Sequence, residues 1–94
     1  MTDRIELLDP TAAPRVVARP LAARPGELAG GSIGFLTNKK ANADRLLAQL
    51  EALLRDRIGP FAAVRTAKSA PLPAPEEVIL QLSRCMAVVS AVAD

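Results

Sequence analysis

Two lysine-bearing segments hold the residue types in this chain best suited to chemistry. Thr37-Asn-Lys-Lys-Ala-Asn42 places Lys39 and Lys40 directly ahead of a helical pattern, and Lys68-Ser69 follows a second apolar run. A helix start presents unpaired backbone N–H groups and the positive end of the helix dipole. An ammonium beside it makes a site for a phosphate or a carboxylate. Asn38, Lys39, Lys40, Asn42, Lys68 and Ser69 are therefore the candidate substrate- or anion-binding residues. On composition alone, each lysine also reads as an ordinary solvated surface charge. Neither segment is a P-loop, because the glycines that precede the lysine of that motif are missing. Gly30-Gly-Ser-Ile-Gly34 enters a strand rather than leaving one, so it is not a dinucleotide fingerprint.

Much other chemistry is excluded by composition. The chain has no histidine and one cysteine, Cys85. A Ser-His-Asp triad, an internal disulfide and a metal site built on histidine or paired cysteines are all ruled out. Cys85 falls at the C-terminal end of a helical pattern, where the dipole disfavours a thiolate, and it reads as an inert packing residue. Ser83 and Ser90 lack a partner base. With no base–nucleophile pair, the 94 residues indicate no catalytic residue of their own, no metal and no cofactor. Twelve basic residues balance ten acidic ones to a net charge of +2, and no aromatic residue interleaves with the basic ones. Nucleic acid is thus not an expected partner. The first residues are not a basic flank leading into an apolar stretch, and no apolar run approaches a membrane span. The expectation is a cytoplasmic protein with no membrane partner.

These segments need a scaffold to bring them together. Residues 1–31 form a Pro-rich N-terminal arm with four of the eight prolines, at positions 10, 14, 20 and 25, and a candidate edge strand at 5–8. Proline disrupts both helix and ladder hydrogen bonding. The apolar content of the arm (Val16, Val17, Leu21, Leu28) argues against a freely solvated tail, so it is expected to lie on its own domain or on a partner subunit. Residues 32–94 read as a β-α-β-α-β half domain. Strands are expected at 32–37, 61–66 and roughly 87–93.

The first helix is expected from Asn42 to Ile58. Leu46, Leu47, Leu50, Leu53 and Leu54 lie on one face, Asn42 serves as N-cap, and Gly59-Pro60 supplies the stop. A second helix opens at Pro75 and carries its apolar stripe from Val78 to Cys85 or Met86. Strands alternating with helices imply an α/β fold: a partial doubly wound, Rossmann-like parallel sheet of three strands and two helices. The strand orders 2-1-3 and 3-2-1 both fit. In either order the loops after the strands leave one edge of the sheet, where open α/β folds bind their ligands.

Three stretches resemble a known family. Ile33-Gly-Phe-Leu-Thr-Asn-Lys-Lys-Ala-Asn-Ala-Asp44, Lys68-Ser-Ala-Pro71 and the closing Ala87-Val-Val-Ser-Ala-Val-Ala-Asp94 are similar to the bacterial UGSC-motif proteins, and Ile5-Glu-Leu-Leu-Asp-Pro10 fits their N-terminus. In that family the strand ending in Asp is followed by selenocysteine or cysteine, then Gly-Ser-Cys. The resemblance implies that the reactive atom belongs directly after Asp94. It also implies that this chain is the N-terminal part of a selenoprotein cut short at a recoded UGA codon. A selenol or thiol opening the next helix would be held as the anion, and a second cysteine three positions on would resolve it. The family usually has an acidic residue near position 37, proline at 41 and aspartate at 86, where this chain has Thr37, Ala41 and Met86. The departure at Thr37 puts any polar role of that position in doubt.

The expectation is an inactive fragment whose full-length form is a selenol- or thiol-dependent redox or transfer enzyme acting on a small anionic substrate. The competing readings are a non-catalytic interaction module, forming a homo-oligomer through the arm or a strand edge, and a small-anion-binding domain.

Overall fold

A computed structural model describes residues 3–92. The order of elements is β1 (Ser32–Thr37), α1 (Ala43–Ile58), β2 (Ala62–Ala67), α2 (Glu76–Ser83) and β3 (Ala87–Ala91). The three strands form one parallel sheet in the order β2-β1-β3. Of the two orders open to the sequence, this is the one that places the helices on opposite faces.

Register shows why. Phe35 stands between Arg65 of β2 and Val89 of β3, and Gly34 between Val64 and Val88. Alternate residues of a strand face opposite ways, so Ile33 and Phe35 share one face and Gly34 looks to the other. On the first face Ile33, Phe35, Phe61 and Ala91 close over Leu47 of α1, with Leu54, Ile58 and Val89 packed around them. The rings of Phe35 and Phe61 stack with centroids 6.3 Å apart. On the second face Leu82 of α2 lies so close that a Cβ at Gly34 would stand 2.6 Å from its Cδ2 and 3.2 Å from Cys85 Sγ. Glycine is required there to let the helix approach the sheet.

α1 differs in detail from its sequence pattern. Ala43 and Leu47 are buried and Leu50, Leu54 and Ile58 half-buried, whereas Leu46 and Leu53 are exposed. A helix resting on a single three-stranded sheet has one buried seam, and among the described residues no neighbouring helix covers its flank. Polar contacts fix its pitch on the sheet. Arg65 donates from Nε to Glu51 Oε1 at 2.9 Å. Arg55 donates to the Phe61 carbonyl at 2.8 Å while its guanidinium sits 4.3 Å from the Phe61 ring centre. These contacts hold Phe61 in the core just ahead of β2, so the strand starts one residue later than expected. α2 also ends sooner than expected. Its last residue is Ser83, and Cys85 and Met86 belong to the turn into β3, where Met86 N–H already donates to the Ser32 carbonyl at 2.8 Å.

The arm departs from expectation as well. Residues 5–8 join no strand, and Ile5, Leu7 and Leu8 are more than four-fifths exposed. Val16, Val17 and Leu21 are exposed too, and the arm stretches the molecule to 77 Å along its long axis. Its last third meets the domain: residues 22–25 and Leu28 line a hollow with Leu82, Cys85 and Met86, Leu28 packs against the core, and Gly30, at φ +81°, donates to the Pro60 carbonyl at 2.7 Å. Among the described residues, no helix is long and apolar enough to cross a membrane.

Candidate functional site

Parallel topology brings the ends of β1, β2 and β3 to one edge. The first loop, from Thr37 to Asn42, is wired internally. Lys39 N–H donates to Thr37 Oγ1 at 3.1 Å, Lys40 N–H to Asn38 Oδ1 at 3.4 Å, and Ala43 N–H to the Lys40 carbonyl at 3.1 Å. Two non-glycine residues in it are left-handed, Lys39 at φ 63° and Asn42 at φ 67°. Each such residue costs on the order of 1 kcal/mol. The loop therefore holds a shape that its residues do not prefer.

Asn42 occupies the N-cap position of α1, but its side chain makes no capping hydrogen bond. A capping side chain needs an extended backbone, and Asn42 is left-handed. Its value here is tolerance of that conformation. The α1 carbonyl ladder still begins at Asn42, whose carbonyl accepts from Leu46 N–H at 3.0 Å. Lys39 is exposed and Lys40 half-buried, both beside this helix start.

Asn38 is the buried polar residue of the site, with 5% of its surface exposed. Its backbone N–H donates to the Ala91 carbonyl at 3.0 Å. Its side-chain Oδ1 accepts from Val92 N–H at 3.2 Å, and its Nδ2 donates to the Val92 carbonyl. The β1–β3 register ends at Thr37 opposite Ala91, so Asn38 carries the pairing one residue further through its side chain.

Lys68 is differently placed. Its backbone N–H extends the ladder to the Thr37 carbonyl at 2.9 Å. Its ammonium turns back into its own loop and donates to the carbonyls of Ser69, Ala70 and Leu72 at 3.1, 3.3 and 2.9 Å. An ammonium has three donors, and here each has a carbonyl. Ser69 is exposed, and its carbonyl also accepts from Leu72 N–H. The structure thus gathers Asn38, Lys39, Lys40 and Asn42 around one helix start, and directs Lys68 into the Pro-rich loop.

Sequence reasoning missed a cavity of about 170 Å³ under the same edge. It lies between α1 and the sheet and is lined by Phe35, Thr37, Asp44, Glu51, Arg65 and Thr66. Thr66, also buried, donates its hydroxyl to the Phe35 carbonyl at 3.0 Å. The available signal was a lone arginine within an otherwise uncharged strand, at the register position of Phe35. Glu51 accepts its hydrogen bonds and pushes the Arg65 guanidinium above its ordinary value. Cys85 lies at the opposite end of the sheet, half-buried, with Sγ 3.7 Å from the Gln81 carbonyl. Among the described residues, no group of three or more His, Cys, Asp or Glu is arranged to hold a metal ion. Asp94, named as the residue before the reactive position, lies outside the described residues.

Compared with known proteins, residues 6–94 match the model of the UGSC family. The chain belongs to the UGSC family. The match takes in the arm, both lysine loops and β3 of this UGSC chain. No curated protein and no solved structure matches it.

Proposed function

We propose that this UGSC chain is the scaffold half of a selenol- or thiol-dependent redox or transfer enzyme acting on a small anionic substrate, and that the 94 residues alone are inactive. The observation that carries this reading is the bond between Asn38 and Val92. It supports an exit of the chain from β3 beside the first loop and the start of α1. A selenolate or thiolate beginning there would share the edge with Lys39, Lys40 and the positive end of a helix. Those features favour the anionic nucleophile and an anionic substrate together.

In the redox form, the nucleophile and a second thiol close a selenenyl sulfide or disulfide. Two electrons and two protons pass to the substrate, and an external thiol reductant restores the pair. Lys39 and Lys40 are the proposed anion-binding lysines. The carbonyl contacts of Lys68 favour a loop-shaping role instead.

Two measurements test the reading. The first is the genomic sequence past the codon for Asp94: UGA or a cysteine codon followed in frame by Gly-Ser-Cys is expected, and UAA, UAG or no such motif defeats the proposal. The second is calorimetry with phosphate and small dicarboxylates. Lys39→Ala and Lys40→Ala are expected to weaken binding several-fold each, by roughly 1 kcal/mol, and unchanged affinity in both removes the anion site.

A second reading is favoured by the arm. Six large apolar side chains from Ile5 to Leu21 are exposed, and Val88 on β3 is 46% exposed. An interaction module would cover these with a second copy. Light scattering on the whole chain and on residues 28–94 separates the readings: a dimer that becomes a monomer on arm removal supports the module, and a monomer in both excludes it.

A further inference from the structure

Val92 has left the β1–β3 ladder, yet both of its backbone polar groups on that side are satisfied. The partner is the Asn38 amide, with Oδ1 accepting from Val92 N–H at 3.2 Å and Nδ2 donating to the Val92 carbonyl. A primary amide offers a donor and an acceptor side by side and so imitates a peptide group of a neighbouring strand. β1 cannot supply that peptide itself. Its backbone turns away after Thr37 into a loop with left-handed residues at 39 and 42. The one side chain at that corner that is buried and amide-bearing takes over the ladder's role.

The same Asn38 Oδ1 also accepts from Lys40 N–H at 3.4 Å. One buried amide therefore joins the shape of the lysine loop to the exit direction of β3. Aspartate of equal size would accept from Val92 N–H but set a charge against its carbonyl, and serine lacks the paired donor and acceptor.

We infer that Asn38 is a positioning residue, which fixes the backbone at Val92 beside the loop that opens α1. This rests on the proposed function in one respect: that the reactive group begins just past β3. It gives Asn38 a role other than substrate binding, because its amide already serves the protein.

Hydrogen exchange and thiol reactivity test it on the whole chain, with Cys85→Ser and a Cys-Gly dipeptide appended after Asp94 as a probe. In Asn38→Ala, Val92 N–H is expected to exchange about tenfold faster, while amides of α1 and of the β1–β2 ladder keep their relative protection. The appended thiol is expected to alkylate about threefold more slowly near neutral pH in Asn38→Ala, the size of one lost helix-end interaction. Asn38→Asp, which keeps the acceptor for Val92 N–H but loses the donor to its carbonyl, is expected to fall between the wild type and Asn38→Ala in both readouts.

Unchanged Val92 exchange, or a uniform rise across all amides, overturns the inference. So does a Val92-specific change with no change in alkylation rate. A downstream sequence without Gly-Ser-Cys defeats the proposed function and leaves the exchange result standing, so the two failures are distinguishable.

Discussion

The loops after β1 and β2 begin alike, each carrying lysine within three residues of a strand end, and they are built in opposite ways. The first loop reaches outward: Asn38 bonds to Val92 of another strand, and two left-handed residues hold Lys39 and Lys40 at a helix start. The second loop closes on itself, with the Lys68 ammonium gathered by three of its own carbonyls. A lysine at the ligand-binding edge of an α/β sheet is thus not by itself a ligand-binding lysine. For Lys68, three carbonyls of its own loop already meet the ammonium. Proline-rich loops expose carbonyls without matching N–H groups, and Lys68-Ser-Ala-Pro-Leu-Pro-Ala-Pro75 is such a loop.

The largest break in this comparison is expected at Asn38. Asn38→Ala removes three hydrogen bonds at a buried position, two to Val92 and one to Lys40 N–H, and is expected to lower stability by about 1–2 kcal/mol in urea unfolding. A loss below a few tenths would place the Val92 contact outside the folding free energy. Lys68→Met keeps the side-chain stem and removes the charged donors. It is expected to cost about 1 kcal/mol, reduced by the partial exposure of the loop, and to leave phosphate affinity unchanged. Loss of phosphate binding in Lys68→Met, with Lys39→Ala and Lys40→Ala silent, would reverse the roles assigned to the two loops.

Asn42 sharpens the comparison further. As a left-handed residue without a capping bond, it is expected to tolerate Asn42→Gly to within about 0.5 kcal/mol, whereas Asn42→Ala costs about 1 kcal/mol. Equal losses in the two variants would indicate a capping side chain instead. The smallest effect lies in the arm. The Thr11 hydroxyl and N–H both donate to Asp9 Oδ1, at 2.6 and 2.9 Å, and hold that carboxyl below its ordinary value. The folded pKa is depressed, so the turn is favoured above the ordinary carboxylate pKa and is lost as pH falls through the lowered one. The Thr11 amide resonance is expected to titrate with that low midpoint, and to lose the titration in Asp9→Asn.

How far the sequence was legible follows the range of the interactions involved. β1 was read at its observed bounds, because an apolar run between Gly-Gly and polar residues is a local signal. α1 was placed to within a residue by its leucine period and its Gly-Pro stop. The parallel α/β class followed from the alternation of elements. Properties that depend on a neighbour in space were not legible. Leu46 and Leu53 fit the helical stripe, yet they are exposed because only one sheet face meets α1. Asn42 has the right identity for a cap and the wrong backbone angle. The apolar content of the arm points to a covering surface on its own domain or on a partner subunit, and from Ile5 to Leu21 its own domain does not supply one. By its place in the sequence Asn38 groups with its lysine neighbours as a ligand for substrate. Its burial against Val92 joins residues 54 apart in sequence, a distance over which no local pattern informs.

The proposal's central claim is that a nucleophile following Asp94 is favoured as the anion by the helix start and lysines at this edge of the sheet. The most direct measurement is the pH dependence of alkylation for the first chalcogen of a chain continued past Asp94 through Cys-Gly-Ser-Cys, with Cys85→Ser to leave the site's own thiols. The account predicts a midpoint well below the ~8.5 of a free cysteine. A midpoint at or above that value would contradict it.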